Sequence, residues 1–167
     1  MNRLAAFIFI ILSSPGKTRA QTTSFFVINN SIKDTTYYFI LDKNKDTVLR
    51  LDPNKYFVCF SDTVENFLVV SPRNREGWWA IDLKENFLFQ VYNTSLGEPS
   101  PDKMINGKIR IVDRQGKIGF ANDKGEIVIQ PQFEFVTPFS NGKAIIGQSC
   151  KKYPGTKTMT RWISIIP

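Results

Sequence analysis

Apolar residues along this chain come in short runs broken by turn residues, and no window of a dozen positions shows the 3.6-residue spacing of an amphipathic helix. Ile118-Gly119-Phe120-Ala121 and Ile127-Val128-Ile129 flank Asn122-Asp123-Lys124-Gly125, which predicts a strand, a tight turn and a second strand. Pro131 has no amide hydrogen to give a ladder and predicts that no central strand continues beyond it. A third run, Lys143-Ala144-Ile145-Ile146, resumes after Ser140-Asn141-Gly142.

The same spacing recurs at an offset of 40 residues, and recurrence at such a period decides a fold before any single motif does. Asp42, Asp82 and Asn122 fall in register, as do Tyr38-Phe39, Trp78-Trp79 and Ile118-Gly119 ahead of them. The second runs align as residues 48–51, 88–91 and 128–131, and third runs follow at 66–70, 108–112 and 143–146. Asn106-Gly107-Lys108 and Asn141-Gly142-Lys143 are 35 apart rather than 40, which places a length change in the preceding loop, Pro-, Ser- and Gly-rich over 93–102. Residues 24–28 read as an unmatched third strand and 161–165 as an unmatched first strand, with Trp162 in the aromatic slot. The expectation is about eleven strands and no helix. The fold class is all-β: antiparallel three-stranded β-meander repeats, about 37–70, 77–112 and 117–147, stacked within a 21–167 domain as a curved open array, solenoid-like or half-barrel-like.

The third copy, QGKIGFANDKGEIVIQPQFEFVTPFSNGKAIIG over residues 115–147, resembles a WG repeat. In that family a strand with an aromatic-glycine pair is followed by a D/N-x-x-G turn, an IVIxPxF strand and an F-S-x-G-x-A return. Ile118 stands where the family has its aromatic, while Gly119 is kept; Trp78-Trp79 and Tyr38-Phe39 lack the glycine. The resemblance implies an exported bacterial protein that serves as a binding or scaffolding module, with no reaction and no cofactor attached.

The N-terminus fits export. Arg3 precedes an apolar run, residues 4–12, too short to span a bilayer, and Thr18-Arg19-Ala20 supplies small residues for cleavage after Ala20. An uncleaved anchor is the alternative. Residues 1–20 are thus read as a signal peptide, giving a periplasmic, outer-envelope or extracellular protein with no transmembrane span after cleavage. Loss of Arg3, Lys17 and Arg19 with the leader leaves 19 basic against 15 acidic residues, so the charge falls from +7 to +4.

Histidine is absent, which removes Ser-His-Asp and Cys-His catalysis and imidazole as a metal ligand. Cys59 and Cys150 are either a disulfide, worth on the order of 4 kcal/mol in the chain-entropy model, or two independent small apolar residues. Asp42, Asp82, Asp113 and Asp123 are the carboxylates to test for paired-acid hydrolysis, but each sits where an Asx residue caps a strand-to-strand turn. Trp78, Trp79 and Trp162 are candidate ligand contacts; neighbours on a strand point to opposite sides, so one of Trp78 and Trp79 is expected to face outward. Lys151, Lys152, Lys157 and Arg161, near Tyr153 and Trp162, read as a solvated loop over 150–160 rather than a nucleic-acid site. Asn29-Asn30-Ser31 and Asn93-Thr94-Ser95 match the glycosylation acceptor pattern, without meaning in a bacterial protein.

The leading reading is a non-catalytic binding or scaffolding module with a protein or glycan partner. The alternative is a carbohydrate-binding or enzyme-associated accessory domain using the outward aromatics, and a paired-carboxylate hydrolase is the third.

Overall fold

β-Branched and aromatic runs between Asx-led turns give strands throughout, and the computed structural model contains no helix among its described residues, which are 25–32, 35–94, 100–148, 151–153, 156–158 and 161–165. The leader read over 1–20 lies outside them. The first strands are β1 (Phe25–Ile32), β2 (Thr35–Leu41), β3 (Thr47–Leu51), β4 (Tyr56–Cys59), β5 (Thr63–Val64) and β6 (Leu68–Pro72). Next come β7 (Trp78–Ile81), β8 (Phe87–Val91), β9 (Asn93–Thr94), β10 (Ser100–Pro101), β11 (Lys108–Val112) and β12 (Ile118–Asn122). The last are β13 (Ile127–Phe133), β14 (Phe135–Val136), β15 (Ala144–Gln148), β16 (Lys151–Tyr153), β17 (Thr156–Thr158) and β18 (Arg161–Ile165).

These strands form antiparallel sheets that stay open: β3-β2-β1-β5, β13-β12-β11-β8-β7-β6-β4, β14-β15-β18, and the pairs β9–β10 and β16–β17. Eleven of the strands coincide with the runs marked in the sequence; the other seven have two to four residues each. Lys151, Lys152 and Lys157 lie on the hairpin β16–β17, with Lys152 opposite Lys157, rather than on a loop. The β-branched Thr156 and Thr158 and the aromatic Tyr153 are the sequence reason.

Three hairpins share one register. Ile40 lies opposite Leu49, Ala80 opposite Phe89 and Phe120 opposite Ile129; one step on, Leu41 faces Thr47, Ile81 faces Phe87 and Ala121 faces Ile127, with a bulge between the two steps each time. Each predicted unit is nevertheless divided differently from a three-stranded meander. The third run of each copy pairs with the first strand of the next, as β6 with β7, β11 with β12 and β15 with β18, and β1 joins β2 in the same way. Among the described residues, second and third strands of one copy are joined by ladder pairing only at β8–β11, over two residue pairs. Elsewhere the edge is taken: β4 pairs along β6 and β14 along β15.

Alternation along the inner strands feeds successive cores. Ile40, Leu51, Tyr56, Leu68, Val70 and Ile81 belong to the first. Val69, Ala80, Phe89, Val91, Ile109, Ile111 and Ala121 form the second, and Ile118, Phe120, Val136, Phe139, Ala144 and Ile146 the third. Thus β6 and β7 are buried on both sides, with Leu68 and Ile81 facing one core and Val69 and Ala80 the next. Tyr38, Trp78 and Ile118, 40 positions apart, pack against the first, second and third cores in turn. β13 does run through Pro131, and it does so as the outermost strand of its sheet, where a missing amide costs no ladder bond.

Candidate functional site

The turn carboxylates are engaged with backbone. Asp42 Oδ1 accepts the N–H groups of Asn44 and Asp46 at 2.8 and 3.0 Å. Asp82 Oδ1 accepts those of Lys84 and Asn86 at 2.8 and 2.9 Å, and Asp113 Oδ1 those of Gln115 and Lys117 at 2.9 and 2.8 Å. In the third hairpin Asn122, not Asp123, plays this part, accepting from Lys124 and Glu126 at 3.0 and 2.9 Å. Three residues after each cap the backbone turns left-handed, at Lys45, Glu85, Gly116 and Gly125. At Asp82 burial pushes the carboxyl's pKa up, but the donors from Asn86 and Lys84 and the Lys84 charge outweigh it and leave the group below its ordinary value.

Trp78 and Trp79 both lie half-buried on opposite faces of β7. Trp78 packs on the second core and against Phe60, ring centroids 5.6 Å apart. Trp79 donates its indole N–H to Glu76 O at 3.0 Å, meets the edge of Phe87 at 5.5 Å and carries the Arg75 guanidinium 4.9 Å above its ring. Trp162 sits opposite Gly147 in β18, and its side chain lies outside the described residues. Trp78 and Trp79 therefore do not share one face.

Cys59 is buried as a thiol at the end of β4, its Sγ 4.0 Å from Ser61 O. Cys150 lies outside the described residues, and with it the pairing of the two. Burial pushes the Cys59 thiol up to about 11; the Ser61 backbone lowers it, and the Asp62 charge adds to the rise. At pH 8 roughly one molecule in a thousand then carries the thiolate. In a Cys150→Ser variant, where Cys59 is the sole thiol, iodoacetamide is expected to leave the native protein unmodified over hours and to label it at once in urea, read by intact mass. Because the folded state holds the proton more tightly, the stabilising contribution is complete below the ordinary thiol value of 9.0 and is lost as pH climbs towards about 11. Tyr56 behaves alike: burial first, then the charge and hydrogen bond of Glu85, push its hydroxyl up to about 12.

Sequence reasoning passed over one buried pair. Asp102, in the connector before β11, takes Arg110 Nη2 at 2.6 Å, Arg110 Nε at 2.9 Å and the Arg110 backbone N–H at 2.9 Å. Arg110 also donates Nη1 to Val136 O at 3.0 Å and stacks over Tyr92 at 4.6 Å. The two are 6% and 8% exposed, and the signal in the sequence was a lone arginine inside the apolar run Ile109-Arg110-Ile111-Val112.

Beside this pair a hollow of about 860 Å³ opens between residues 59–69 and 102–109, with Asp123 on its rim. Phe60, Phe67, Val69 and Ile109 give it an apolar floor. Asn66 closes one side by donating Nδ2 to Asp123 O at 2.8 Å, so a loop after the first hairpin is tied to the turn of the third. A second hollow, about 660 Å³, lies among Lys55, Tyr56, Arg73, Lys84, Glu85 and Phe87. There Lys55 pairs with Glu85 at 3.1 Å and Arg73 donates Nε to Pro53 O at 2.6 Å, so two of its cations are already engaged.

The turn that carries Asp123 belongs to the stretch 118–149, which matches the family described as WG containing repeat. The chain carries a WG repeat. No curated protein and no solved structure matches the chain. The WG unit comprises β12 to β15, fills the third core, and supplies the hollow with its Asp123 rim. Its glycine, Gly119, lies under β13: a Cβ there would overlap Ile129 O and stand 2.6 Å from Pro131 N.

Proposed function

We propose that this protein is a non-catalytic binding or scaffolding module, a stack of three related β units exported through its N-terminal leader and working in the envelope or outside the cell. The observation that carries the reading is the 860 Å³ hollow with aromatic residues on its floor and polar groups at its mouth, the make-up of a recognition site. Asp42, Asp82 and Asp113 each hold one oxygen on two backbone amides, which favours binding over acid–base chemistry. A protein partner is preferred to a glycan because Trp79, the tryptophan of its pair that packs on none of the three cores, has Arg75 stacked over its ring and Phe87 at its edge, leaving little ring for a sugar.

Phe60 is 42% exposed at the hollow, so Phe60→Arg obstructs it without opening a core. The expected result is that wild-type protein cross-links a partner in envelope extract and Phe60→Arg loses it at unchanged circular dichroism, while Trp79→Ala keeps it. Equal cross-linking by Phe60→Arg defeats the reading, and retention on a glycan gel lost only in Trp79→Ala installs the accessory-domain alternative.

A further inference from the structure

We propose that the 860 Å³ hollow takes a basic segment of a partner protein, its lysine or arginine stems lying on the apolar floor and their charges meeting the acidic rim. This rests on the binding reading above and adds the chemistry of the ligand.

The floor and the rim differ in kind. Phe60 and Met104 leave 42% and 38% of their surface exposed there, while Val69 and Ile109 behind them are buried. Around this apolar patch stand Asp62, Glu65 and Asp123, all solvent-exposed. Among the described residues none of the three has an ion-pair partner, and Lys103 is the one basic residue in the lining. Asp102, deeper in, counts for nothing here because Arg110 already neutralises it. A net negative, partly apolar hollow therefore interrupts a chain of net charge +7, or +4 without the leader. An anionic ligand would meet three uncompensated carboxylates, and a purely apolar one would strip water from them.

Lysine and arginine answer both demands, since their stems bury along apolar surface while the head stays at a polar edge. The accessible Phe60 ring adds an attraction for a cation over its face. The volume exceeds one side chain and suits two or three from a single strand or loop. The rim is also set in advance: the Asn66 bond to Asp123 O holds the two sides together, so little ordering remains to be done when the partner arrives.

Trp78, packed against Phe60, gives an intrinsic fluorescence reading. Titration of the whole protein with the peptide Ac-Arg-Leu-Arg-Leu-Arg-amide is expected to show saturable binding that weakens with salt. Ac-Glu-Leu-Glu-Leu-Glu-amide is expected to show none. The triple variant Asp62→Asn, Glu65→Gln, Asp123→Asn touches only exposed carboxylates and is expected to fold normally and to bind the basic peptide about tenfold more weakly. Equal binding of the acidic peptide, undiminished binding by the triple variant, or no binding of the basic peptide up to about 1 mM overturns the proposal. Failure here with Phe60→Arg still losing its cross-linked partner condemns the ligand class alone; failure of both condemns the hollow as a site.

Discussion

Gly119→Ala is expected to cost about 3 kcal/mol or more, or to prevent folding, read as a fall in the urea midpoint. The cause is backbone meeting backbone. Across β12 and β13, Ile118 faces Phe133 while Phe120 faces Ile129, so four steps of β13 span two of β12. The surplus chain folds down over Gly119, placing Ile129 O, Gln130 C and Pro131 N where a Cβ would stand. Backbone atoms of a paired strand cannot swing aside as a flexible side chain does. The control is Gly107→Ala or Gly142→Ala, where φ is positive but nothing lies within 4 Å; left-handed strain alone there costs about 1–2 kcal/mol. If Gly119→Ala loses no more than these, the crowding account fails.

The same geometry explains why the glycine occurs in one hairpin of the three. Phe39 and Trp79 stand at its equivalent positions, opposite Arg50 and Gln90 with no surplus residues, so the second strand stays clear and a large side chain has room. Gly119 and Pro131 belong together: a strand that bulges loses ladder bonds, and proline has none to give there.

Arg110→Met is the second large effect expected, about 3–5 kcal/mol, because it strands the Asp102 carboxylate away from water. It also removes the donor to Val136 O that ties β11 to the third core, and the stack on Tyr92. Asp102→Leu combined with Arg110→Met removes both charges and is expected to recover much of the loss. A double-variant cycle in urea measures the coupling; a value near zero would mean that the pair is screened by water.

Much of this fold was legible because strands longer than about four residues carry an apolar run or alternation long enough to read. The hairpins at 38–51, 78–91 and 118–133 carry cap, turn and register in their own residues, and the three Asx caps at 42, 82 and 122 point to one turn geometry. Strands β4, β5 and β14 were not legible, since two to four residues paired to a neighbour leave no period of their own. They are also what divides second from third strands, so the topology changed although the strands did not. The hollow was hidden for another reason: Phe60, Asp102 and Asp123 are far apart in sequence, and only tertiary packing makes them one surface. Trp78 and Trp79 lie on opposite faces of β7 but both are half-buried, and Arg75 over Trp79 could not be foreseen from spacing.

The double-sided burial of β6, β7 and β12 has a bearing on how the molecule loosens. A backbone amide in these strands is sealed by packing above and below, so exposing it to solvent requires two layers to part together. β3 and β13 are outermost strands of their sheets, and thermal opening is expected to begin there, leaving the inner slab as the last part of the molecule to come undone.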